Sequence, residues 1–103
     1  MKERNLQALC MLEASKHNLL CYHFEAVNTM LPSGKYVRSG VPVGFPDLII
    51  ICPRTSKTMF AELKVDYNTT STEQDNFLKL LPNAYLIRDL ETFKSFLNKT
   101  FNF

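Results

Sequence analysis

Three residues of this chain stand out for chemistry: Asp47, Glu62 and Lys64. Asp47 closes the string Gly44-Phe45-Pro46-Asp47 and directly precedes the apolar run Leu48-Ile49-Ile50-Ile51. Glu62 and Lys64 lie two positions apart in Met59-Phe60-Ala61-Glu62-Leu63-Lys64. On a strand, residues two apart share a face and sit roughly 7 Å from one another. If the two segments pair, Asp47 joins that acid and that amine. Two carboxylates and an ammonium at the rim of an apolar sheet are costly to desolvate unless a cation or an anionic substrate compensates them. Such a set suits metal-dependent cleavage of a phosphodiester. Carboxylate oxygens select hard ions, so Mg²⁺ or Mn²⁺ is the expected cofactor rather than zinc. Asp47 and Glu62 are the expected direct ligands, with the backbone carbonyl of Leu63 between them as a third. Lys64 is expected beside the attacking water, where its ammonium stabilises a crowded phosphate. Each residue alone has a plainer explanation. Asp47 would serve as a turn residue after proline, Glu62 as a solvated strand acid, and Lys64 as a lysine guarding an edge strand.

The elements that must position these groups can be read from periodicity. Lys2 to His17 fits one amphipathic helix, with Leu6, Leu9, Cys10 and Leu12 apolar and Asn18 as its stop. Leu19 to Val27 reads as a strand. Asn28 to Gly44 holds two prolines and all three glycines of the chain, and is expected to be a long irregular connection. Asp47 to Cys52 is continuous enough for a strand covered on both faces. Pro53 ends it, and Thr58 to Val65 returns as its hairpin partner. Ser71 or Thr72 caps a helix running to about Leu81, with Phe77, Leu78 and Leu81 as its stripe. Ala84 to Arg88 makes a short strand. From Leu90 to Phe96 or beyond runs a last helix with Phe93, Phe96 and Leu97 inward. The order is α-β-β-β-α-β-α, an α/β class with a central mixed sheet flanked by helices.

With 103 residues the chain suits one domain, and at 46% hydrophobic it can build a core. A net charge of +2 gives no global case for a polyanionic partner, so any basic footprint must be local. No apolar run is long enough to span a membrane, and the polar start Met1-Lys2-Glu3-Arg4 is no secretory leader. An intracellular, cytoplasmic setting is expected. Cys10, Cys21 and Cys52 are far apart and lack metal-ligand spacing, so free buried thiols are expected. His17 and His23 are isolated, and neither is expected to act in catalysis.

The residues resemble the VRR-NUC branch of the PD-(D/E)XK nuclease superfamily. The likeness rests on Gly40-Val41-Pro42-Val43-Gly44-Phe45-Pro46-Asp47-Leu48, on Phe60-Ala61-Glu62-Leu63-Lys64, and on Ser71-Thr72-Glu73-Gln74. It spans about Val27 to Leu97. The resemblance implies a restriction-endonuclease-like α-β-β-β-α-β core, a divalent metal, and hydrolysis of DNA without a small-molecule cofactor. It also implies a phage or bacterial setting, branched DNA or four-way junctions as substrate, and a homodimer. Dimerisation would draw on the exposed face of the Leu19 to Val27 strand or on Phe101 and Phe103. Gln74 would orient Lys64 or a water, and Glu3 in the first helix would add a further ligand, with Gln7 a weaker candidate. Lys35 and Arg38 stand close enough in sequence to the catalytic strand to contact phosphates, and Tyr36 between them is placed to stack on a base. No recognition helix or zinc-finger pattern is present, so shape rather than base sequence is the expected basis of recognition. The competing reading is a nucleic-acid-binding or protein-interaction module of the same fold without activity. Retention of Asp47, Glu62 and Lys64 speaks against it, because buried charges have no structural reason to persist.

Overall fold

A four-residue apolar run cannot hide one face in water and one in protein, so it must be covered twice. The computed structural model describes residues 1–103, apart from the side chains of Ala26 and Val27. Helix α1 (Glu3–Lys16) is followed by strands β1 (Leu20–His23), β2 (Ala26–Met30), β3 (Tyr36–Gly40), β4 (Leu48–Ile51) and β5 (Thr58–Leu63). Helix α2 (Thr72–Leu80), strand β6 (Ala84–Ile87) and helix α3 (Leu90–Phe101) complete the chain. Four strands form one mixed sheet in the order β1-β4-β5-β6. The pairs β1–β4 and β4–β5 are antiparallel, and β5–β6 is parallel.

Register divides the side chains between two faces. Leu48 pairs with Ala61 and Ile50 with Met59, and all four are fully buried. This face is closed by Leu6, Cys10 and Ala14 of α1 and by Phe93 and Leu97 of α3. Tyr85 of β6 joins it by stacking on Phe96, ring centroids 3.9 Å apart. The opposite face carries Ile49 against Phe60. There Phe45 is packed edge-on among Phe24, Phe60 and Phe77, with centroids 5.0, 5.8 and 5.3 Å away. Phe77 brings α2 to this side. The sheet is thus covered by two helices on one face and one on the other, the arrangement expected of the α-β-β-β-α-β core.

Two expectations need correction. The first strand ends at His23 rather than Val27, and residues 28–44 are not an irregular loop. Instead β2 and β3 pair into a separate two-stranded antiparallel ribbon, with Ala26 opposite Gly40 and Met30 opposite Tyr36. Pro32 and Gly34 fall at the turn, Gly40 in the last pair, and Pro42 and Gly44 beyond it, so none interrupts the middle of the ladder. The alternation is hidden because the described side chains on both faces are exposed, so no apolar period marks the strands. The ribbon also lengthens the molecule. The Cα radius of gyration is 14.9 Å and the principal extents are 51 × 34 × 25 Å, against about 13 Å expected for a compact chain of this size.

The cysteines are free, as expected, although Cys21 is only half-buried. Burial pushes the Cys10 and Cys21 thiols up to about 12 and about 11, so both behave as small neutral core groups. Among the described residues no helix is long and apolar enough to cross a membrane. Phe93→Ala should cost about 3–5 kcal/mol by opening a cavity in a closed core. Tyr67→Ala, at a residue 97% exposed, should stay within about 0.5 kcal/mol of the parent. Urea titration of the two variants measures the contrast.

Candidate active site

The same register that builds the core assembles the polar site. Leu48 opposite Ala61 sets Asp47 opposite Glu62, one step along the β4–β5 pair. Alternation then puts Asp47 and Glu62 on the face of Ile49 and Phe60, the side that α2 covers. The two carboxylates do not splay to opposite faces. Oδ2 of Asp47 accepts a hydrogen bond from the backbone N–H of Leu63 at 2.7 Å. A strand residue directs its N–H and its C=O toward the same neighbour. The Leu63 carbonyl is therefore turned to the edge that Asp47 occupies.

Glu62 is buried and held by its neighbours. Its side chain is 2% exposed. Oε1 accepts a 2.6 Å hydrogen bond from Nε2 of Gln74 and faces Nζ of Lys64 at 4.0 Å. Oε2 is buried with no partner. Burial, the charge of Asp47 and the charge of Glu3 together push its pKa from 4.5 up to about 8, with Lys64 opposing. Burial also raises Asp47, against the Leu63 hydrogen bond and the charges of Lys64 and His23. Glu3 is raised by burial and by Asp47. The first turn of α1 therefore shares one electrostatic environment with the ends of β4 and β5.

Gln74 is held from both ends of its amide. Ser71 Oγ accepts from the Gln74 backbone N–H at 3.2 Å, and Gln74 Oε1 accepts from the Ser71 N–H at 2.8 Å. This reciprocal cap fixes the start of α2 and leaves Nε2 directed at Glu62. Its observed side-chain partner is the Glu62 carboxylate, which in turn faces Lys64.

The segment Gly44-Phe45-Pro46-Asp47 acquires a physical reading residue by residue. Gly44 has φ of +85°. A Cβ there would lie 2.5 Å from Glu73 Cβ and 2.9 Å from the Gln74 nitrogen, so only glycine lets the loop meet the first turn of α2. Phe45 anchors the aromatic cluster, and Pro46 is fully buried. Asp47 then emerges at the site.

The structure thus brings Asp47, Glu62, Lys64 and Gln74 together, with Glu3 within electrostatic reach of Asp47 and Glu62. Lys35, Tyr36 and Arg38 lie apart, on the exposed ribbon. His23, read from the sequence as isolated, lies near this site. It ends β1 opposite Leu48 and lowers the pKa of Asp47, while its Nδ1 lies 3.6 Å from Glu25. Only the β1–β4 pairing, which no local pattern announces, would have revealed it.

A hard divalent ion fits these donors. The unpartnered Oε2 of Glu62 offers a hard oxygen to a cation once the carboxyl is ionised, and Asp47 stands across the strand pair from it. Among the described residues no group of three His, Cys, Asp or Glu side chains is placed to hold a metal ion, so the side-chain donors on offer are the carboxylate pair alone.

The fold is an α/β core, a four-stranded mixed sheet flanked by helices, with an acid pair at the end of its central antiparallel strands. Its likeness among solved structures is to a chain described as a VRR_NUC domain. The TM-score is 0.60 at 21% identity, covering 93% of this chain and 94% of that one. The chain has the VRR_NUC fold. No family model and no curated protein sequence matches it.

Two measurements test the site. Gly44→Ala should displace the first turn of α2 and with it Gln74, lowering stability by about 1–3 kcal/mol through strain and overpacking. Loss of the Gln74 side-chain amide shift in an NMR spectrum would register the displacement. The second test is pH. A carboxyl raised above its unfolded value contributes stability that is complete below 4.5 and lost as pH rises through about 8. In chelator the protein should lose stability across that window, and Glu62→Gln should flatten the loss.

Proposed function

We propose that this chain is a metal-dependent DNA endonuclease that acts on branched or otherwise structured DNA. One observation supports it above the others: a nearly fully buried carboxylate with a free oxygen, set opposite a second carboxylate and beside an amine. Once ionised, an unpartnered carboxylate in such a place destabilises the fold, and a cation bound for catalysis gives it a purpose. The VRR_NUC fold supports the same reading.

In this reading Asp47, Glu62 and the Leu63 carbonyl hold Mg²⁺ or Mn²⁺, with Glu3 reaching the site through water. The bound ion would neutralise phosphate charge and acidify water. Lys64, 18% exposed, is close enough to solvent to meet a phosphate and supplies the positive charge that grows useful as the phosphorus becomes five-coordinate. Gln74 positions Glu62. The Leu63 amide positions Asp47. Lys35 and Arg38 neutralise backbone phosphates away from the reacting bond. In this reading DNA is recognised by shape rather than by base sequence.

A homodimer is part of the proposal, since four-way DNA presents paired cleavage points. β1 is an edge strand with Leu20 and Tyr22 exposed, and it offers the better interface. Phe103 is partly occupied by its own chain, stacked on His17 at 4.1 Å. Sedimentation at working concentration should show two copies, and a monomer removes the claim.

Cleavage is tested with linear, nicked, flapped and four-way DNA in Mn²⁺ and in chelator. Cutting should require the ion and favour the branched forms. Lys64→Ala should lower the rate by about 10²–10³-fold while DNA binding persists. A protein that binds but never cuts, with any divalent ion, would be an inactive module instead.

A further inference from the structure

The β2–β3 ribbon has no role in the core. Its strands pair only with each other, and a lone two-stranded hairpin is marginal in water. Its root lies at the active site, because the Phe24 N–H donates to the Asp47 carbonyl at 2.9 Å just before β2 begins. From there five residues per strand carry the tip roughly 17 Å outward. At the tip Leu31 N–H donates to Lys35 O, and Gly34 N–H to Leu31 O.

Charge and apolar surface coincide on this arm. Of the 12 Lys and Arg residues, Lys35 and Arg38 lie between Ala26 and Pro46, where there is no acid. The ten others are matched by the 10 Asp and Glu, so this segment carries the net charge of the chain. The last cross-strand pair is Met30 opposite Tyr36, and the next pair on the same face, two steps down, is Asn28 opposite Arg38. Met30 is 61% exposed, Tyr36 71% and Leu31 40%. A protruding tip of aromatic and aliphatic side chains flanked by cations fits a ligand that offers both flat apolar surface and negative charge. Unstacked nucleotides offer both. A protein partner would not explain why the segment excludes every acid.

We propose that the ribbon tip is a wedge for unpaired or unstacked bases at a DNA discontinuity. Tyr36 stacks on a base, Met30 and Leu31 pack beside it, and Lys35 and Arg38 take the flanking phosphates. The wedge gives the enzyme its preference for branched over continuous DNA. It rests on the reading of this chain as a DNA nuclease.

The full-length protein in chelator is mixed with a flapped duplex carrying 2-aminopurine at the branch, and with a linear duplex carrying the same probe. Fluorescence should rise several-fold on the branched DNA only. Tyr36→Ala should abolish the rise and about tenfold of the branched-over-linear binding preference, the value of one stacked base. Tyr36→Phe should keep both. A Tyr36→Ala protein that retains rise and preference overturns the proposal. So does equal weakening on both DNAs, which marks a phosphate anchor only, or an altered sedimentation coefficient with unchanged selectivity, which marks a contact between copies. Cleavage by the parent in Mn²⁺ is scored separately. Cutting without a fluorescence response defeats the wedge alone, and a response without cutting defeats the nuclease reading alone.

Discussion

A carboxylate at the closed end of a sheet, with one oxygen left unpaired, is the constraint on which the rest of this molecule turns. Glu62 cannot relax toward water, because the chain on either side of it is locked: Ala61 and Leu63 are fully buried on the opposite face. Nor can it swing away from Gln74, whose amide is committed at both ends. The surrounding sequence is arranged to keep it there. Gly44 admits the start of α2, the Ser71–Gln74 cap fixes that start, and Phe45 pins the loop that delivers Asp47.

That arrangement sets stability against function. Three carboxyl groups, those of Glu3, Asp47 and Glu62, are all raised above their ordinary values, chiefly by burial. Folding without a counter-ion therefore favours protonation, and it opposes the ionised form that a hard cation needs. Lys64 relieves part of the repulsion at 4.0 Å but leaves Oε2 unanswered. Stability lost to such a cluster is recovered on the other face, where Leu6, Leu48, Ile50, Met59, Phe93 and Leu97 close a core with almost no exposure. The apolar face holds the sheet rigid so that the polar face can remain frustrated.

The ribbon follows the opposite rule. It is exposed, carries its own hydrogen-bonded ladder, and leaves the core undisturbed because it is inserted between two strands that pair regardless of it. In the proposed reading a rigid sheet carries the reacting groups and a slender arm meets the ligand, which separates two demands otherwise placed on one surface.

Much of this was legible in the chain itself. The apolar run Leu48-Ile49-Ile50-Ile51 demanded cover on two faces. The two-residue spacing of Glu62 and Lys64 demanded a shared face, and Ser71 with Gln74 announced a helix start. Those signals are local, and local geometry is what period and capping chemistry encode. The opposition of Asp47 and Glu62, the turn of Gln74 toward Glu62, the approach of His23 and Glu3, and the ribbon between Ala26 and Gly40 were decided only in three dimensions. Each depends on register between segments distant in sequence, or on strands exposed on both sides, where burial imposes no alternation for a pattern to reveal.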